Sequence, residues 1–338
     1  MLSSSRRLSR LGISILLVTS AAACLWDRDT ITDELQTRAT QYDLSMGQFP
    51  SHGDEYYFAR IKKLRTQQKA KSLTVDENND LAVAYIRTKQ FTTALALLNQ
   101  NLKQLPNHYA TLSNISILHK KQGSYTASVP YMKRALAIKP EGHMGLGDWY
   151  LKRLRWSAAH EKENGSEDKP VPTKNFLGEA YSATDMRYVS PPSRNRKEAN
   201  KKRATYLTKL LKNDRHFPDA YVVFGDLLWQ HAHLNLAMRC YQHALHLKHP
   251  NPQMVQSRID AVIAHWGSAP YRSHLKPSPA VLKQRKAQKN KFLSELKQTE
   301  QWLANFHAAE ANLVRQGKFP TFLETEATLK SSRHRPKK

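Results

Sequence analysis

The side chains best suited to chemistry in this 338-residue sequence form a histidine and cysteine run, His231-x-His233 followed by Cys240-x2-His243-x2-His246. Thiolate and imidazole are favoured zinc ligands. On a helix, residues three apart share a face, so Cys240 and His243 could converge on one ion. A closed zinc site needs about four well-placed ligands, and the same stretch carries Ala237, Tyr241 and Ala244 on what reads as a packing face. With 15 histidines in the chain, clustering arises readily by chance. The run therefore predicts a packed helix, with no metal and no cofactor. Asp27 and Asp29 beside Trp26 suggest a sugar-binding group or a carboxylate pair for acid–base work, but no third group accompanies them. The sequence has no phosphate-cradling glycine loop, no Gly-x-Ser-x-Gly elbow and no His-Glu-x-x-His. A non-enzymatic protein is expected.

The N-terminus has the three parts of an export signal. Arg6, Arg7 and Arg10 make a positive start, Leu11–Val18 an apolar run, and Ala21-Ala22-Ala23 the small residues of a cleavage site. The apolar run is shorter than the roughly 20 residues that span a bilayer. A signal peptide over 1–23 follows, with the periplasm or a membrane-anchored place in the cell envelope as the destination. Cys24 comes directly after the alanines, which resembles a bacterial lipoprotein box; that resemblance implies lipidation of Cys24 and membrane attachment through it. Ala21 stands where the box usually has Leu, so ordinary cleavage after Ala23 stays open. Ser5-Arg6-Arg7 is similar to a twin-arginine signal, but Ser9 takes the place of the expected large apolar residue.

Net charge is +25 and unevenly spread. Residues 24–60 are acidic. The basic excess lies in Lys62–Lys71, in Arg194–Arg203 and in the last third. Such segments attract anionic polymers or an anionic membrane surface by releasing counterions; they also solvate ordinary helices, and both readings stand. If Cys24 is acylated, Cys240 has no disulfide partner, and the fold must rest on packing.

The elements that would position all of these residues are helices. Glycine is sparse, while Leu, Ala, Lys and Gln are abundant. Pro106 and Pro140 lie 34 residues apart, each closing a helical block. The first block reads Leu81-Ala82-x2-Tyr85, then Phe91, Ala94, Leu98 and Pro106. The second has Leu112, Ile115, Ser116, a turn at Gly123-Ser124, then Tyr125, Ser128, Ala135 and Pro140. A third opens with Leu146-Gly147-x2-Tyr150. A fourth reads Tyr221-x2-Phe224-Gly225-x2-Leu228, then Leu234, Ala237, Tyr241, Ala244 and Pro250.

This pattern resembles the tetratricopeptide repeat: a large–small–x2–aromatic first helix, a small residue opening the second, and a closing proline. The resemblance covers about 75–156 and 204–250. It implies an all-α solenoid of antiparallel helix pairs whose concave groove binds a protein partner. The family's position rules put Asn79, Val83, Ile86, Ser113, Ile117, Lys120, Val222, Asp226 and Trp229 toward that groove, with Trp229 the chief contact.

The expected organisation is a signal peptide (1–23), an N-terminal segment with a cap helix (24–74), and a repeat array (75–266). An insertion over about 157–203 delays the third repeat's second helix to Ala204–Leu211. A linker (267–279), a long C-terminal helical region (280–330) and a basic tail (331–338) follow. The apolar island Asn175–Gly178 docks on the array or serves as a recognition segment. Phe292, Leu296, Leu303, Phe306 and Leu313 give the long helix an apolar seam. Thr299 and Glu310 interrupt that seam, which favours packing back over a coiled coil. The functional expectation is a protein-interaction scaffold. The alternatives are anionic-polymer or membrane-surface binding, or an enzyme with its catalytic residues at 157–200.

Overall fold

The computed structural model describes residues 33, 37–161, 171–181, 194–267, 277–329 and 333. The signal segment, Trp26, Asp27, Asp29, Cys24 and nearly all of the basic tail lie outside the described residues. The protein is an all-α helical solenoid of the tetratricopeptide type. Among the described residues there is no strand, only an isolated antiparallel bridge between Lys174 and Ala180.

The array is built from α3 (Val75–Arg87) and α4 (Phe91–Gln104), α5 (Tyr109–Lys121) and α6 (Tyr125–Ile138), α7 (Gly147–Ala159) and α8 (Arg194–Asn213), and α9 (Pro218–Gln230) and α10 (Leu234–His246). α11 (Pro252–Trp266) packs on α10 and ends the stack. Thr74 starts the array with a capping box, its hydroxyl accepting from Glu77 N–H while the Glu77 carboxylate accepts from Thr74 N–H.

Three of the hairpins turn in the same way. Lys89, Gly123 and Ala232 each stand in the left-handed region, at φ of 61°, 82° and 59°. The residue after each donates its N–H back into the helix: Gln90 to Tyr85 O, Ser124 to His119 O, and His233 to Leu228 O. This is the Schellman closure, which pairs the last free carbonyls and reverses the chain within three residues.

Close approach of paired helices explains the small positions. A Cβ on Gly225 would lie 2.5 Å from Tyr241 Cε1, so glycine admits the aromatic ring of α10. In the second hairpin the small pair is Ser116 and Ser128, buried and hydrogen bonded Oγ to Oγ at 2.8 Å. Leu81, Leu98, Leu112, Leu118, Tyr150, Tyr221, Phe224 and Ala237 belong to one continuous core running through the repeats.

α8 begins at Arg194, ten residues before the start expected from apolar spacing. Its first half, Arg194–Arg203, is rich in Arg and Lys, which form helix well without contributing apolar periodicity. The insertion is correspondingly shorter at its C-terminal end.

The segments outside the array fold onto it. α1 (Gln41–Met46) packs against α8 and α10, and α2 (Asp54–Ala70) against α3. The long α12 (Pro279–Arg315) returns over α11, α10, α1 and α2 and is followed by the short α13 (Phe322–Ala327). Tyr42 and Met46 meet Phe292 and Leu296 in one cluster, and Trp302, Phe306 and Phe322 form another.

Candidate functional site

The nine positions assigned to the groove sit on α3, α5 and α9. Eight of them are buried; Asp226 alone is half-buried. Asn79 donates to Thr111 Oγ1 at 2.9 Å and accepts from Asn114 Nδ2 at 3.3 Å, which ties α3 to α5. Asp226 accepts from Arg258 Nε at 2.7 Å and from the Tyr241 hydroxyl at 2.9 Å, which ties α9 to α10 and α11. Trp229 stands edge-on to His265 of α11, with ring centroids 5.9 Å apart. Val83, Ile86, Ser113, Ile117 and Val222 lie inside the packing. Asn79, Asp226 and Trp229 thus meet helices that follow them in the array.

Lys120 leads to the most polar part of the interior. Its ammonium lies 3.2 Å from Asp214 Oδ2, and Arg153 Nε donates to the same oxygen at 2.8 Å. All three side chains are buried. Burial pulls Lys120 down to about 7 even against the attraction of Asp214. Asp214 is held below the usual carboxylate range: burial pushes it up, but the Arg153, Lys120 and Lys121 charges together outweigh that push. Arg153 also lies over the Phe217 ring at 4.6 Å. Neither Arg153 nor Asp214 stands out in the sequence, because the contact spans 61 residues and the insertion lies between them.

The island Asn175–Gly178 docks on the array. Phe176 is buried beside Phe217, with centroids 5.3 Å apart, and its N–H donates to Asp219 Oδ2 at 2.6 Å. The other Asp219 oxygen takes the Tyr181 hydroxyl and approaches His249 Nε2 at 3.1 Å. Burial beside Asp219 pushes the Tyr181 phenol up. A buried aspartate at the first turn of α9 thus anchors the described part of the insertion. This Asp–His–Tyr cluster has no local sequence signature.

Of the cysteine–histidine run, Cys240 and His243 are buried in the core, while His231, His233 and His246 are exposed. Cys240 is fully buried, and burial pushes its thiol up, so it stays protonated. His243 turns to Ser45 O, with its Nδ1 at 2.9 Å, and stacks on Tyr221. Among the described residues no three His, Cys, Asp or Glu side chains are grouped to hold a metal ion, and no helix is long and apolar enough to cross a membrane.

The basic segments are placed on the surface. Lys62, Lys63, Lys69 and Lys71 on and after α2, Lys201 and Lys202 on α8, and Lys283, Lys286, Lys289 and Lys291 on α12 are exposed. Arg203 is an exception, making a two-pronged pair with Glu179 at 2.7 Å for each bond.

A search of curated proteins found no match to this chain. The family model for the tetratricopeptide repeat matches residues 110–139, the α5–α6 hairpin together with Pro130 inside α6 and the turn at Gly123. Over that hairpin, which shares its turn geometry with the hairpins before it and at α9–α10, the chain is similar to tetratricopeptide repeat proteins.

Proposed function

We propose that the protein is a non-enzymatic, tetratricopeptide-type interaction scaffold that acts after export in the cell envelope and is tethered there through Cys24. The observation that carries this reading is the repetition of one hairpin geometry at Lys89, Gly123 and Ala232 around a continuous core. Stacked repeats of this kind present a rigid, extended surface, and their energetic content is nearest-neighbour packing rather than a reaction centre. The partner is a protein. It meets the side chains the array leaves outside, such as Leu105 and Ile138, each nearly half exposed. The positions from Asn79 to Trp229 set the shape beneath, and they reach a partner only where a covering segment parts from the array.

The test is affinity capture from envelope extract with the full chain, washed at low and then high salt. A discrete protein retained at high salt supports the scaffold. Retention of anionic polymer alone, lost as salt rises, favours the second reading, which rests on the exposed lysines of α8 and α12. Loss of envelope localisation on Cys24→Ser tests the tether.

A further inference from the structure

The first half of α12 holds to the array by one face. Val281 packs against the core, Arg285 pairs with Asp260 of α11, and Phe292 is buried. One residue past each of these, and so about 100° round the helix, stand Leu282, Lys286 and Leu293. Lys289 falls on the same stripe. These four line a groove of about 520 Å³ together with Leu245 and His246 of α10 and Gln256 of α11. That is the size of a specific binding site.

The stripe is apolar at its ends and cationic in its middle. Leu282 is 48% exposed and Leu293 is 41% exposed. Lys286 and Lys289 are exposed between them, and neither meets a carboxylate among the described residues. Among those residues no Asp or Glu lines the groove, and Asp260 behind it is already engaged by Arg285. The groove is therefore positive as well as partly apolar. Its four stripe residues are spaced four, three and four apart, so the order Leu–Lys–Lys–Leu reads the same in both directions. The stripe is about 16 Å long, three turns of helix.

That order decides between the anionic ligands. A helix that lies in a lipid interface keeps its apolar and charged residues on opposite faces. Here leucine and lysine share one stripe, on the wall of a concave groove between three helices. An acyl chain laid along it would cross both ammonium groups. A second helix meets the stripe one side chain at a time, with anchors at matching spacing.

We propose that this groove docks an amphipathic helix of a partner protein, one that carries two carboxylates between two apolar residues at the same four, three and four spacing. The carboxylates meet Lys286 and Lys289, and the apolar residues cover Leu282 and Leu293. The symmetric order admits the partner helix in either direction. The proposal rests on the scaffold reading and gives it a docking site outside the repeats, made by the return of α12 over α10 and α11.

The probe is a fluorescent helical peptide of about 18 residues, based on alanine and glutamine, with two glutamates between two leucines at that spacing. A second peptide has the same composition with its leucines moved to the opposite face. Anisotropy is read against the full chain. Because the chain carries a net charge of +25, a matched charge control is included. The expected result is saturable binding of the first peptide. It weakens at least about tenfold for the second peptide, for Leu293→Ser, and for Lys286→Glu combined with Lys289→Glu. It stays within about twofold for Lys62→Glu combined with Lys69→Glu on α2, which removes the same charge elsewhere. All five substituted side chains are exposed, so the variants keep the fold.

Absence of saturable binding overturns the proposal. Equal binding of the two peptides, or equal weakening by the two lysine pairs, overturns it in favour of general attraction to a basic surface. Phosphatidylglycerol vesicles are tested against neutral phosphatidylcholine vesicles with the same variants. Vesicle binding that depends on Lys286, Lys289 and Leu293 while peptide binding does not overturns it in favour of a lipid surface. None of these failures bears on capture of a protein from envelope extract at high salt, so the scaffold reading stands or falls separately.

Discussion

Arg153 and Asp214, 61 residues apart in sequence, meet in a buried 2.8 Å ion pair that closes the third repeat across its insertion. α7 and α8 are separated by more chain than any other helix pair of the array, and they touch mainly through long side chains. Trp149 stands edge-on to Tyr206 with ring centroids 5.2 Å apart, and Arg153 reaches past α8 to the aspartate that follows it. Lys120 brings the second repeat to the same oxygen. One carboxylate therefore registers two neighbouring repeats.

Removing that carboxylate leaves two cations buried without an anion. Asp214→Asn is expected to cost about 3–5 kcal/mol in urea unfolding. Lys120→Met, which removes a costly buried charge and leaves Arg153 paired, is expected to stay within about 1 kcal/mol of the parent. Equal losses for the two variants would show that the pairing with Asp214 is not what holds these side chains inside.

Non-glycine residues in the left-handed region are strained by contact of Cβ with the backbone. Ala232→Gly and Lys89→Gly are each expected to raise stability by about 1 kcal/mol, while Gly123→Ala lowers it by a similar amount. Thermal melts followed by circular dichroism measure all three. A loss of stability in Ala232→Gly would contradict the turn geometry.

The residues that made the repeats readable in the sequence are those fixed by local geometry. Ala82, Gly225 and Ala94 sit where helices touch, Gly123 where the chain reverses, and Pro106 and Pro140 where a second helix stops. Each is set by neighbours within one repeat, so spacing reveals it. The third repeat was harder to read because Arg194–Arg203 extends α8 without an apolar stripe. The docking of Asn175–Gly178 on Asp219, and of His52 on Glu310, depends on partners 43 to 258 residues away. No periodicity encodes such a meeting. Eight of the nine positions named for a groove are buried, and what packs on them is set by tertiary contacts that spacing does not encode.

Acid is expected to unfold the array through two buried histidines. Burial holds His143 down to about 3 and His243 down to about 4. Both folded values lie below the unfolded value of about 6.5, so the fold favours the neutral ring. Their contribution is whole above about pH 6.5 and is lost as pH falls toward 4 and 3. At pH 5 each site costs about 2 kcal/mol relative to pH 7. Urea midpoints at the two pH values measure this, and His143→Asn, which tolerates the left-handed backbone at this position, should flatten the dependence by about half. An unchanged slope would remove His143 from the account.

Glu310 fastens the C-terminal helix to the N-terminal segment. Its Oε1 lies 2.5 Å from His52 Nδ1, and its Oε2 accepts from Gly53 N–H at 2.8 Å. Glu310→Ala leaves both without a partner and is expected to cost about 2 kcal/mol. Hydrogen exchange should then quicken in the first turn of α2 and the last turns of α12 while the α5–α6 hairpin keeps its protection. Uniform acceleration across the chain would mean that the terminal segments and the array open as one unit.

The scaffold reading is tested most directly by photo-crosslinking in cells, with a photoreactive amino acid at Leu105 and Ile138 on the array and at Leu323 on α13, all exposed. The account predicts discrete protein adducts from the array positions and none from Leu323. Absence of protein adducts at Leu105 and Ile138 in cells that express and export the folded chain would contradict it.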